Sequence, residues 1–437
     1  MQPRQGFRFF VFFALAFLAL GASARSGQAQ AKNAAAQQKA APNSANPANP
    51  KIRAVTAFIN LDWHDYQRQI ADTLKMLRRA QTTFESRGYQ VQTIRIATQP
   101  FPEYIQGMNT KQAVDFFKLV DALAEQQKFA MDIGPAMLNA NDPASQADML
   151  AEILANTKAL NGSLVVAGED GVRWAAIGAA ARVMKKLETS TEHSQGNFRF
   201  AAIANVPPLS PFFPAAYHTG FGHQFAIALE SANVVAAAFK DAPDLASARQ
   251  RLTDALANVA FDVEHHAGRV DQETGWTYMG IDLSPAPAPG KETSIGSAIE
   301  ELTKQPFGLS GTMTAAATIT AAIKDVKVKQ TGYTGLMLPV LEDSLLAQRW
   351  SEGRISVDAL LAYSAVCGTG LDTIPLPGDT TEEQLSLIIS DMASLSVKWH
   401  KPLSARLLPV VGKGWGETTE FDSPFLVNVT LQQFGHK

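Results

Sequence analysis

Short runs of branched and aromatic residues alternate along this chain with longer stretches whose apolar positions recur every three or four residues. Residues 52–61 read as a strand. Tyr66, Ile70, Leu74, Leu77 and Phe84 then share one helical face, with Arg and Lys between them. Gly88 stops that helix, and 91–97 begins the next strand. Strands are expected at 129–133, 164–167, 200–206, 225–229 and 279–283, with helices at 142–156, 174–187 and 245–270. Thr380 and Glu383 fit a capping box ahead of Leu385, Ile388, Ile389 and Met392 on one face. The segments 403–410 and 425–431 read as two last strands, joined by a glycine-rich loop around Trp415. Repeated β-α alternation over this length predicts an α/β architecture, either a barrel or a large sheet, and periodicity does not choose between them.

The first residues follow a different pattern. Arg4 and Arg8 precede an unbroken apolar run at 9–21, and Ala22-Ser23-Ala24 and Ala29-Gln30-Ala31 both offer small-x-small cleavage sites. Residues 1–31 therefore read as a signal peptide, which predicts a periplasmic or secreted protein. The run is shorter than the roughly 20 residues that span a bilayer, so no stable membrane anchor is expected after cleavage. No cysteine follows it and no arginine pair precedes it, which excludes a lipoprotein and a twin-arginine signal. Residues 32–50 are Ala, Asn, Gln and Pro with almost no large apolar side chain, a linker that cannot offset its ordering entropy. The expected folded domain is a single one, 51–437.

Composition adds exclusions. At 46% hydrophobic and 18% charged residues the chain can build a sizeable core. Its net charge is -3, and losing Arg4 and Arg8 would make it more acidic still. Without a basic block there is no electrostatic footprint for nucleic acid. The single cysteine, Cys367, cannot form an internal disulfide. Its expected state is a buried small hydrophobe, and its sharper alternative is a reactive thiol.

In α/β folds the chemistry lies where strands end in loops, and three loops carry the right residues. Residues 214–223 hold His218, whose unperturbed pKa suits a general acid/base and whose plainer role is a hydrogen-bonded loop histidine. Its spacing to His223 is not that of a helical zinc pair, so a metal stays unassigned. Residues 280–290 place Asp282 and Ser284 ahead of Pro285, Pro287 and Pro289. Asp282 either caps its own turn or binds a cation or proton. Residues 367–372 set Asp372 beside Gly368 and Gly370, which allow close backbone approach. His265 and His266 lie adjacent on a helix and are expected to face solvent. No G-x-S-x-G, C-x-x-C, H-E-x-x-H, P-loop or dinucleotide fingerprint is present, and the cofactor is left open.

A family resemblance is carried by Thr93-Ile94-Arg95-Ile96-Ala97-Thr98, Tyr217-His218-Thr219-Gly220 and Gly280-Ile281-Asp282-Leu283-Ser284-Pro285. It continues in Gly311-Thr312-Met313-Thr314, Gly335-Leu336-Met337-Leu338-Pro339, Glu342-Asp343, Cys367 to Asp372 and Ala405-Arg406-Leu407. On these segments the chain resembles the uncharacterised DUF711 (UPF0210) family. The resemblance implies a ten-stranded α/β barrel of the pyruvate formate-lyase type. It does not extend to radical chemistry on Cys367, because 431–437 lacks the arginine-valine-x-glycine-aromatic pattern that chemistry uses. The chain also departs from the family at 229–233, where relatives carry glycine-proline-glycine. The expected site is a pocket in the barrel mouth that takes a small molecule. His218, Asp282 and Asp372 would be its catalytic groups, and Ser284, Thr312, Thr314, Gly335, Gly368 and Gly370 its binding groups. An enzyme is one reading, a periplasmic binding protein without catalysis another, and a degenerate barrel kept as an interaction partner a third. Oligomeric state is left open.

Overall fold

The computed structural model describes residues 50–433, so the expected signal peptide, and the linker apart from Pro50, lie outside the described residues. The first strand, β1 (Lys51–Ile59), pairs in parallel with β2 (Val91–Thr98). A parallel pair needs a crossover, here the helix α1 (Tyr66–Glu85), which buries Ile70, Leu74, Leu77 and Phe84 on the face its spacing predicted. The pattern repeats. α2 (Thr110–Gln127) leads to β3 (Ala130–Asp132), α3 (Ser145–Ala155) to β4 (Leu160–Gly168), and α4 (Trp174–Ser190) to β6 (Phe200–Ala204). A two-residue strand, β5 (Gly171–Val172), folds back on β4. After β7 (Gln224–Glu230) the long helix α5 (Leu245–Thr274) precedes β8 (Thr277–Asp282). Then α6 (Thr312–Asp325), β9 (Gly370–Pro377), α7 (Glu382–Trp399) and β10 (Leu403–Val410) complete the set used below.

These strands form one sheet in the order β8-β7-β1-β2-β3-β4-β6-β10-β9. β1, β2, β3, β4 and β6 run parallel to one another. β7 joins antiparallel to β1 and β10 joins antiparallel to β6, and each carries a parallel partner, β8 and β9. The two ends of this path each bridge to the irregular segment 329–340. It exchanges backbone bonds with Ile281 of β8 (2.8 and 3.1 Å) and donates from Val340 to Asp372 O of β9 (3.1 Å). Both bridges are parallel, so this irregular segment occupies the place of a further strand between the edges.

The outer face of the sheet packs on helices, and its inner face packs on a loop. Residues 205–223, between β6 and β7, supply Val206, Phe212 and Ala215 to a buried cluster with Val165, Ala201, Ile203, Ala286, Tyr333 and Met337. Phe213 and Ala216 of the same loop meet Phe58, Ala97 and Ala226. One loop thus touches β1, β2, β4, β6 and β7, which requires the sheet to curve around it.

Four expectations are corrected. Residues 370–377 form a strand buried on both faces, where a glycine-bearing loop was expected at 367–372. Residues 425–431 form no strand; only an isolated Thr418–Thr430 bridge occurs there. The capping box lies one residue later, with Thr381 Oγ1 accepting from Gln384 N and Gln384 Oε1 accepting from Thr381 N. His266 is buried rather than solvent-facing, with Nε2 3.5 Å from Asp262 one turn back.

Candidate functional site

An arginine in a strand normally points to water, and three of them here point inward. In β1 the pairing with β7 slips between Ile52 and Ala54, so Arg53 is the extra residue of a bulge. A bulge re-aims its side chain, and Arg53 Nη2 reaches Glu342 Oε2 at 2.8 Å. β9 carries a second bulge, between the partners of Ala405 and Leu407, where Thr373 adopts φ 47°. It sits beside Asp372, whose Oδ1 accepts from Arg406 Nε of β10 at 2.6 Å. Arg406 Nη2 also donates to Glu342 Oε1 at 2.5 Å, so the two arginines share one glutamate. The third, Arg95, lies opposite Thr56 in the β1–β2 register.

The tip of loop 205–223 lies over these groups. Arg406 is 5.5 Å from the Phe212 ring centre, and Arg95 is 4.9 Å from that of Phe213. Between them is a narrow cavity of about 20 Å³, room for about one water. It is lined by Arg53, Arg95, Asp282 and Ser284 among the apolar side chains of Phe212, Phe213 and Met337. Arg95 donates from Nε to Thr93 Oγ1 at 2.9 Å. Its terminal nitrogens have no acceptor, and it has no carboxylate within ion-pair distance, among the described residues.

Burial dominates the electrostatics. It pushes Arg95 down to about 9, helped by the neighbouring charge of Arg53 and opposed by Glu342. It pushes Asp132 up to about 8, against the N–H groups of Gly134 and Ala216 and the charge of Arg95. Asp372 is also raised by burial, against the pull of Arg406. Glu342 resists burial, because Arg406 and Arg53 both contact it and hold it below the usual carboxylate range.

Of the residues expected at the site, Asp282 and Ser284 line the cavity, whereas Asp372 does not: it holds Arg406, which lies behind the lining residue Phe212. Asp282 is consumed by backbone. Its carboxylate accepts from the N–H groups of Ser284 (2.9 Å), Tyr333 (3.1 Å) and Thr334 (3.2 Å), the turn-capping alternative. His218 is not brought to these acids. Its N–H donates to Thr98 O, and its ring nitrogens engage Asn60 and Gln224 at 2.7 Å each, at the end of β1 and β2. Asp282 is level with Ala54 through Ala228, about six residues or roughly 20 Å along the sheet from Asn60. Burial, opposed by Gln224, lowers the pKa of His218 and favours the neutral ring.

The remaining expected residues lie elsewhere. Thr312 is buried at the start of α6, where its hydroxyl accepts from Gly308 N at 3.1 Å, and Thr314 is exposed on that helix. Gly335 and Gly368 serve backbone packing: a Cβ on either would sit 2.5 Å from the other's Cα. A Cβ on Gly370 would meet Ser404 O at 2.4 Å. Cys367 is buried, and its carbonyl accepts from Lys401 Nζ. Arg53, Arg95, Arg406 and Glu342 were missed as site residues. Arginines inside otherwise apolar strands were the available signal. The one group of possible metal ligands among the described residues is Glu192, His193 and Asp422, exposed and not part of the cavity lining.

Comparison with known proteins supplies a family and no reaction. The family model described as "Uncharacterised ACR (DUF711)" matches residues 45–423. A UPF0210 protein of Pyrobaculum aerophilum is 33% identical over 392 residues, covering 83% of this chain and 85% of that protein. One from Methanocaldococcus jannaschii is 26% identical over 379 residues, covering 82% of each. Among solved structures, the anaerobic ribonucleotide reductase from Thermotoga maritima in complex with dATP and CTP is similar at a TM-score of 0.37 and 8% identity. That match covers 87% of this chain and 79% of that one.

Proposed function

This chain belongs to the uncharacterised DUF711 family, and on that premise we propose that it binds a small molecule in the inner cavity without turning it over. The observation that carries this reading is the cavity wall: Arg53, Arg95 and Ser284 stand among apolar side chains around a space for about one water, which widens for a ligand when the loop tip at Phe212 and Phe213 gives way. Such a mix of apolar lining and few polar groups suits recognition of a small ligand. Catalysis would need a free acid or base at the same place. His218 is held far along the sheet, and Asp282 is occupied by three backbone N–H groups. The reading includes export to the periplasm or beyond, supported by Arg4, Arg8 and the apolar run behind them. Among the described residues no helix is long and apolar enough to cross a membrane.

The test is a thermal-shift screen of the mature protein against small metabolites, since a ligand of the folded state raises its midpoint. Met337→Trp fills the cavity and should remove any shift, whereas His218→Gln should keep it. A shift that survives Met337→Trp overturns the cavity as the site. A shift abolished by His218→Gln alone returns that histidine to it.

A further inference from the structure

We propose that Glu192, His193 and Asp422 form a surface zinc site that fastens the segment after β10 to the turn after α4. One ligand atom from each lies within 4.8 Å of the other two. Zinc takes imidazole nitrogen and carboxylate oxygen at about 2.0–2.2 Å, so two ligands of one ion stand no more than about 4.4 Å apart. Only a small side-chain rotation separates this trio from that spacing, and all three residues are exposed. An imidazole with two carboxylates suits zinc, whereas magnesium and calcium take oxygen alone. Three protein ligands leave the fourth tetrahedral position to water.

Two remote parts of the chain meet here, and the turn after α4 holds them together. Ser194 is buried; its hydroxyl donates to Glu188 O at 2.9 Å and accepts at 3.0 Å from the N–H of Val411, the first residue after β10. Gln195 Nε2 donates to Asp422 Oδ1, and Gln195 Oε1 accepts from Ser423 N at 3.0 Å. Asp422 is thus delivered beside His193 with its second oxygen uncommitted. Neither carboxylate is neutralised. Lys413 pairs with Glu420 at 2.8 Å, and neither Glu192 nor Asp422 has a lysine or arginine within ion-pair distance among the described residues. Two like charges drawn together without a cation repel, and a divalent ion between them reverses the sign of that interaction. With a single cysteine the chain has no disulfide to tie this segment down. A metal bridge supplies the tie.

Calorimetric titration of the untagged, EDTA-treated mature protein with zinc chloride tests this, with magnesium chloride as the second arm. One equivalent of zinc should bind, and magnesium should not. His193→Asn and Asp422→Asn should each weaken zinc about tenfold or more. Both variants should fold, because the side chains they change are exposed. Tryptic cleavage after Lys413 should slow with zinc in the wild type and stay unchanged in His193→Asn. Zinc held as tightly by His193→Asn as by the wild type would mark adventitious surface binding and overturn the site. So would no binding at all, or magnesium bound as tightly as zinc. Zinc that binds without slowing that cleavage would overturn the fastening. None of these outcomes bears on the inner cavity, which shares no residue with this site.

Discussion

Asp132 ends a three-residue strand with no exposed surface, and its two oxygens accept from Gly134 N (3.1 Å) and Ala216 N (3.1 Å). It therefore pins the inner loop to the sheet. With its folded pKa raised from 3.8 to about 8, the folded state holds a proton that the unfolded chain releases between those values. The stability it contributes is full below about pH 4 and is lost as the pH climbs through 8. The slope approaches about 1.4 kcal/mol for each pH unit in that window. Urea denaturation at pH 5 and pH 8.5 should show it, and Asp132→Asn should flatten the difference; an unchanged slope in that variant would refute the assignment. The same scale explains what sequence reading could and could not find. Asp282, Ser284 and Asp372 were visible because they stand beside proline and glycine in loop-like segments. Arg53 and Arg95 were not, because only the bulge at Arg53 and the curvature of the sheet turn them inward.

The element scale shows the same division. Strands with alternating or branched patterns, β1, β2, β7 and β10, were legible within two residues. β9 was not. It opens on Gly370 and contains Pro375 and Pro377, residues that signal turns, and its place in the sheet comes from β10 and the segment 329–340. The late capping box has a simple cause: Thr380-Thr381-Glu382-Glu383-Gln384 fits the motif in two registers. The glycines near β9 were read as ligand contacts, yet Gly335 and Gly368 let two backbones cross. Gly368→Ala should destabilise by about 1–3 kcal/mol, since neither backbone can give way. Gly268, inside α5 with nothing near a Cβ, supplies the contrast. Gly268→Ala should stabilise by up to about 1 kcal/mol. Thermal melts of the two variants check both signs, and two shifts of the same sign would contradict this account.

For the whole molecule, β-α alternation made the α/β class legible, while the fate of the inner face was invisible. A stretch rich in proline, alanine and aromatics at 205–217 looks like surface connection, and it became interior. Address belongs to this scale too. If the first residues are a signal peptide cut at either small-x-small site, protein recovered from the periplasm or medium should begin near Arg25 or Lys32 by N-terminal sequencing. An exported form that still starts at Met1 would end that proposal.

The inner loop has one more consequence. It comes from the middle of the chain, yet the side chains around it come from both sides of it: Val165, Ala201 and Ile203 before, Ala286, Tyr333 and Met337 after. Neither half can complete its inner surface alone. A cut in the turn between Lys240 and Asp244 would thus yield two pieces that are each unfinished. They are joined less by the severed peptide bond than by a shared keystone, and such pieces are suited to reassembling when made together.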